Sequence, residues 1–179
     1  LDGLRFIAAL VVVICHFEII KTYFGIPKTG GRFYSNSAQV AVTFFFVLSG
    51  FLITWLLLKE KLADPADRIS LSRFYKRRIF RIWPLYYLLV ILTFFVLRHQ
   101  PFFQELPAQS AAGSHLAEKR LPGYIFFLPN YTEYRFGAQP FLGQTWSLAV
   151  EEFFYLFFPL GLFFIRMKYI VKYLLILAI

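Results

Sequence analysis

Three sets of ionisable residues sit among apolar neighbours that should exclude them. Arg5 and His16 are eleven residues apart in LDGLRFIAALVVVICH. On a helix that spacing is three turns plus about 20°, so both side chains leave one face, separated by about 16.5 Å along the axis. An Arg within a membrane costs about 2.5 kcal/mol or more, so it faces protein or a wet cavity. An imidazole on the same face, with an unperturbed pKa of about 6.5, suits general-base chemistry near neutrality. The plainer alternative is a buried histidine satisfied by a backbone carbonyl. Glu151 and Glu152 stand in QTWSLAVEEFFYLFFPL. A helix entering near Gln144 carries them about 10 Å down, a depth comparable to that of His16, where a carboxylate can orient the imidazole. Interfacial glutamates paired with basic residues of an outer loop are the other reading. The third set is RFYKRRIFRIWP, Arg73 to Pro84. Arg78 and Arg81 are neighbours at i, i+3, and Arg77 shares a face with Arg73 and Arg81. Arginine forks bind phosphates bidentately, although a basic cluster beside a spanning helix also arises from membrane topology alone.

Spanning helices are what must carry these residues. Of 179 residues, 59% are hydrophobic, 21% aromatic and 16% charged, against about 45–50% apolar in soluble domains. An ordinary soluble domain is excluded. Lys and Arg outnumber Asp and Glu 19 to 10, a formal +9 whose partners are phosphates, lipids or acidic ligands. Nucleic acid is not expected, because no soluble core carries a basic face. A single cysteine excludes an internal disulfide and a multi-cysteine metal site, and no metal is expected. Cys15 reads as a helix residue without special chemistry.

The segment Ala38 to Leu58 has no ionisable group, and Ile82 to Leu97 is a second charge-free run framed by Arg81 and Arg98. Both meet the length needed to cross the hydrocarbon core. The first segment has only twelve uncharged residues between Arg5 and Glu18, so it spans with help from snorkelling or neighbouring helices. It is not a signal peptide, because no small-residue cleavage site follows Ile20. The expected fold is an all-α polytopic membrane bundle with spans at about 4–24, 38–58, 81–98 and 144–165, and an incomplete fifth at 169–179. Without an initiator Met and with its last helix cut off, the chain reads as the N-terminal part of one larger membrane domain. Lys59 to Arg81 holds eight of the nineteen basic residues, so the connection 59–80 is expected in the cytoplasm with the N-terminus. The segment 99–143 is then an outer, partly ordered cap with interfacial aromatic packing.

These motifs resemble, in order, those of the membrane-bound acyltransferase family 3, which transfers acyl groups, often acetyl, to sugars of cell-surface polysaccharides. LDGLRFIAALVVVICH is similar to the family's opening, with Arg-x10-His on Arg5 and His16; FFFVLSGFLIT is similar to its second helix. FYKRRIFRIWPLYY resembles the third-helix entry with Arg-x-x-Arg on Arg78 and Arg81, and QTWSLAVEEFFYLFFPL the Trp-Ser-Leu-x-x-Glu segment. The resemblance covers nearly the whole chain except the outer loop. Phe153 departs from it, since the family often has Gln there.

The resemblance implies an enzyme of about ten spans in a bacterial inner membrane. Its donor is acyl-coenzyme A, in most cases acetyl-coenzyme A, arriving from the cytoplasm as a substrate with no tightly bound cofactor. The acceptor is a polysaccharide or lipid-linked sugar. His16 is then the catalytic histidine, Arg5 its motif partner, Glu151 the acidic residue, and Arg78 with Arg81 the donor-side arginines. The mechanism expected has Arg77, Arg78 and Arg81 holding the donor phosphates. His16 deprotonates a sugar hydroxyl or, in a less favoured version, carries the acyl group itself. Glu151 fixes its tautomer, and Ser49, Trp146 or Ser147 steadies the oxyanion or acceptor. Ser49-Gly50 has a second reading as a helix-packing site. An anion transporter and a non-catalytic scaffold of a polysaccharide assembly system are the competing classes.

Overall fold

The computed structural model describes residues 2–27, 29, 31–63, 69–104 and 116–177. Among them there are helices and turns but no strand. The helices are α1 (Asp2–Tyr23), α2 (Gly31–Ala63), α3 (Leu71–Ile91), α4 (Pro101–Gln104), α5 (Ala117–Ile125), α6 (Pro129–Phe136), α7 (Thr145–Phe164) and α8 (Ile170–Leu177). A π-helical turn, Leu92–Val96, and a 3-10 turn, Leu97–His99, prolong α3. Four segments are long and apolar enough to cross a membrane: Gly3–Tyr23, Asn36–Ala63, Leu71–His99 and Thr145–Phe164. The chain is an all-α polytopic membrane bundle.

The spans exceed the charge-free runs because charge does not break a helix. The connection expected at 59–80 is helical through Ala63 and again from Leu71, since only ADPAD carries a breaker, Pro65. Of what is left, residues 64–68 lie outside the described residues, as do 105–115 of the expected outer loop and 178–179 of the fifth span. Helix α1 has 22 residues, about 33 Å at 1.5 Å per residue, which matches the hydrocarbon core. It stops at Gly25, whose φ of +73° lets the Gly25 and Ile26 amides turn back to the carbonyls of Thr22 (3.2 Å) and Lys21 (2.9 Å).

In lipid, helices associate by close packing more than by hydrophobic exclusion. Small buried residues accordingly line the α1–α2 seam: Ala8, Cys15 and Ala41. Helix α7 packs on α2 and α3 through Ile53, Leu57, Phe74, Tyr155, Phe158 and Leu162. Lys61 is buried, and its ammonium donates to the carbonyls of Leu162 (2.7 Å) and Ile165 (2.5 Å), capping the C-terminal end of α7. Phe6, Phe80 and Phe164 are exposed at 68%, 77% and 77%, as a surface meeting lipid requires.

The described residues of α5 and α6, within the segment expected outside, cap α3. Tyr86 and Tyr87 donate to the carbonyls of Tyr124 (2.6 Å) and Ile125 (3.0 Å). Phe127 turns the chain between α5 and α6 with φ +55°, a strained conformation for a bulky residue. Its ring stacks on Tyr86 at 4.1 Å. Below it Arg120, 2% exposed, donates from Nε and Nη2 to the Phe136 carbonyl (3.1 and 2.5 Å) and from Nη1 to Gln139 Oε1 (3.4 Å).

Candidate active site

Four helices converge on a cavity of about 360 Å³. Helix α1 contributes Arg5, α2 Ser49, α3 Arg78 and Arg81, and α7 Glu151 and Tyr155. Its wall runs along α7 from Gln144 to Tyr155 and along α3 from Arg78 to Leu89, about 16.5 Å in each case. The cavity is therefore a slot. One end is charged; the other is lined by Leu85, Tyr86, Leu89 and Leu148.

At the charged end Arg5 Nη2 donates to Ser49 Oγ (3.2 Å), and its guanidinium lies 5.6 Å from the Phe45 ring centroid. Arg5 Nε and Glu151 Oε1 are buried without a hydrogen-bond partner among the described residues. Tyr155 donates to Glu151 Oε2 (3.1 Å). Arg78 is half-buried with its guanidinium 5.4 Å from the Phe74 centroid and 5.2 Å from that of Tyr155. Three guanidinium groups thus share a cavity with one carboxylate and form no ion pair with it; the ion pair found among the described residues is Lys21–Glu18, at 3.0 Å. Excess positive charge and unspent donors give this end the chemistry that suits an anion.

His16 lines a second cavity, of about 650 Å³, together with Phe17, Tyr23, Gln39, Phe141 and Trp146. Its Nδ1 lies 2.7 Å from the Val12 carbonyl. A carbonyl only accepts, so Nδ1 carries the hydrogen, and in the neutral ring Nε2 holds the lone pair. That is the tautomer a general base needs. Gln144 lines both cavities, so the slot and the histidine chamber share a wall residue at the start of α7.

The pairing expected between His16 and Glu151 is not what the structure shows. His16 is oriented by its own helix, and Glu151 belongs to the arginine cavity. Helix α7 starts already at the depth of the histidine chamber, where Gln144 and Trp146 line the wall. Glu151, about 10 Å further on, falls beyond His16 to the level of Ser49. Arg77 is also displaced from its expected place: it is exposed and absent from the cavity wall, turned about 100° from Arg78 on α3. Arg5 stands there in its stead. Of the three oxyanion or acceptor candidates, only Trp146 joins His16. Ser49 and Ser147 line the slot, and Ser147 Oγ donates to the Gln144 carbonyl (3.1 Å).

Phe74, Tyr155 and Gln144 are site residues that the sequence reading passed over. The signal was present for two of them, because Phe74–Arg78 and Glu151–Tyr155 are both i, i+4 pairs, which share a helix face.

A family model described as an acyltransferase domain matches residues 1–179. The O-acetyltransferase OatA of Staphylococcus aureus (strain NCTC 8325 / PS 47) is 33% identical over 172 residues, covering 94% of this chain and 25% of that protein. The peptidoglycan O-acetyltransferase OatA of Listeria monocytogenes serovar 1/2a (strain ATCC BAA-679 / EGD-e) is 29% identical over 161 residues, covering 89% of this chain and 23% of that protein. The chain spans about a quarter of the length of these curated relatives. No solved structure matches it. The family match runs through every element that builds the two cavities, and the chain belongs to the membrane-bound acyltransferase family 3.

Proposed function

We propose that the chain is part of an integral membrane O-acetyltransferase that moves an acetyl group from coenzyme A to a hydroxyl of a cell-wall polysaccharide, peptidoglycan being the leading acceptor. The observation that carries this reading is the slot itself. One end holds three arginines, among them Arg78 with no acceptor among the described residues. Towards the other end, Gln144 lines both this slot and the chamber of His16. The names of the two relatives support the reaction class, and that of the Listeria protein supports the acceptor.

In this mechanism the donor's phosphates take the forks of Arg78 and Arg81, with Arg5 beside them. The basic end faces the cytoplasm of a bacterial inner membrane, as the distribution of Lys and Arg favours. The donor's long arm follows the slot for about 16 Å, and its thioester arrives beside Gln144. His16 Nε2 takes the proton of an acceptor hydroxyl in the chamber, and the alkoxide oxygen attacks the thioester carbon. The tetrahedral intermediate collapses, the carbon–sulfur bond breaks, and the coenzyme A thiolate leaves with the proton returned from His16. The indole N–H of Trp146 is the candidate donor to the oxyanion.

Membranes carrying the full-length protein, supplied with acetyl-labelled acetyl-coenzyme A, should place the label on peptidoglycan as an alkali-labile ester. His16→Ala should lower that transfer by about 10²–10⁴-fold without weakening donor binding. Equal labelling by the variant would remove His16 from the mechanism, and no labelled glycan with the wild type would overturn the reading.

A further inference from the structure

We propose that Tyr155 is a positioning residue that keeps Arg78 and Glu151 from pairing with each other, so that the guanidinium stays available to the donor's phosphates. The inference rests on the donor-site reading above. Tyr155 is 5% exposed, and it sits between two helices' worth of charge. Its hydroxyl donates to Glu151 Oε2 at 3.1 Å, while its ring lies 5.2 Å from the Arg78 guanidinium carbon. Phe74, one turn before Arg78 on α3, supplies a second ring at 5.4 Å.

These contacts solve a problem that the composition of the cavity creates. A carboxylate and three guanidinium groups that line one slot attract each other, and a closed Arg78–Glu151 pair would spend the donors that an anionic ligand needs. The Tyr155 hydroxyl satisfies one Glu151 oxygen with a neutral donor. Its ring, with that of Phe74, attracts the cation through its π face. An aromatic face stabilises the charge without consuming an N–H, so the five donors of Arg78 remain for a ligand. Glu151 Oε1 has no partner among the described residues, which leaves the carboxylate ready to close on an arginine once Tyr155 lets go.

The hydroxyl and the ring separate by substitution. Tyr155→Phe keeps the ring and frees Glu151. In full-length protein held in lipid nanodiscs, it should weaken equilibrium binding of coenzyme A about tenfold, roughly the worth of one charge-assisted contact. The donor KM should rise in parallel while kcat at saturating donor changes less than about threefold. Adding Glu151→Gln should bring coenzyme A affinity back to within about threefold of wild type, because the competing carboxylate is gone. Tyr155→Leu, which loses the ring as well, should bind more weakly than Tyr155→Phe and should not be rescued by Glu151→Gln. A purely structural tyrosine would show no rescue by a change at Glu151. Wild-type affinity in Tyr155→Phe, or a Tyr155→Phe defect that Glu151→Gln leaves in place, overturns the inference. Coenzyme A binding that falls in Arg78→Ala but not in Tyr155→Phe overturns it alone, whereas no binding by the wild type overturns the donor-site reading with it.

Discussion

Two arginines, Arg120 buried and Arg78 half-buried, meet opposite fates in this molecule. Arg120, in the cap over α3, is enclosed by α5 and α6 and gives its guanidinium hydrogens to the Phe136 carbonyl and to Gln139. Arg78, in the bundle, has aromatic rings beside it and no hydrogen-bond acceptor among the described residues. Burying a cation is costly, and a residue that exists to hold a fold meets that cost with carbonyl oxygens. A residue that exists to hold a ligand leaves its donors unspent until the ligand comes. The difference lies in the hydrogen bonding: Arg120 spends its donors inside the protein, whereas Arg78 keeps its own for the ligand proposed above.

The largest effect should come from breaking the satisfied member. Arg120→Ala strands the Phe136 carbonyl and Gln139 in a buried setting, at about 3 kcal/mol or more, a fall in Tm of about 6–12 °C. Hydrogen-exchange protection of α5 and α6 should fall with it. Coenzyme A affinity of the folded fraction should stay within twofold of wild type; a parallel loss of affinity would erase the contrast between the two sites.

The smallest effect concerns Glu133, which accepts the Tyr124 hydroxyl at 3.1 Å. Burial holds its carboxyl above the ordinary range, with the Tyr124 bond partly offsetting the rise. A raised folded-state pKa means that the unfolded chain loses its proton first. Stability therefore falls as pH climbs from the ordinary Glu value, about 4.3, towards the folded value, and stays lower above it. Glu133→Gln keeps the acceptor and removes the charge, so it should raise Tm by about 1–3 °C at pH 7 and leave it unchanged at pH 4. An equal shift at both pH values would assign the gain to packing.

Much of the bundle was legible because lipid leaves few options: a long run without charge is expected to span, and Ala38 to Leu58 and Ile82 to Leu97 both lie in helices long and apolar enough to cross. Helix extent was less legible. Lys59 and the arginines from 73 to 78 read as a loop because they are polar, yet they extend α2 and α3 beyond the apolar windows. In the site, the kinds of residue could be recognised but not their pairing. Whether His16 shares a cavity with Glu151 or with Gln144 depends on the depth at which α7 begins, just after the turn at Phe141, with φ +66° and its ring edge-on to Tyr23 at 5.0 Å. No local pattern encodes it. The Tyr155 and Phe74 contacts, by contrast, follow from i, i+4 spacing and needed only an awareness that an arginine can be held by rings.

Equilibrium binding of coenzyme A and of pantetheine, which lacks the phosphates, to the full-length protein tests the account most directly. The wild type should prefer coenzyme A by about tenfold or more, and Arg78→Ala should lower its affinity about 10–100-fold, towards that of pantetheine, with no fall in Tm. Equal affinity for the two ligands, or undiminished coenzyme A binding by Arg78→Ala, would contradict it.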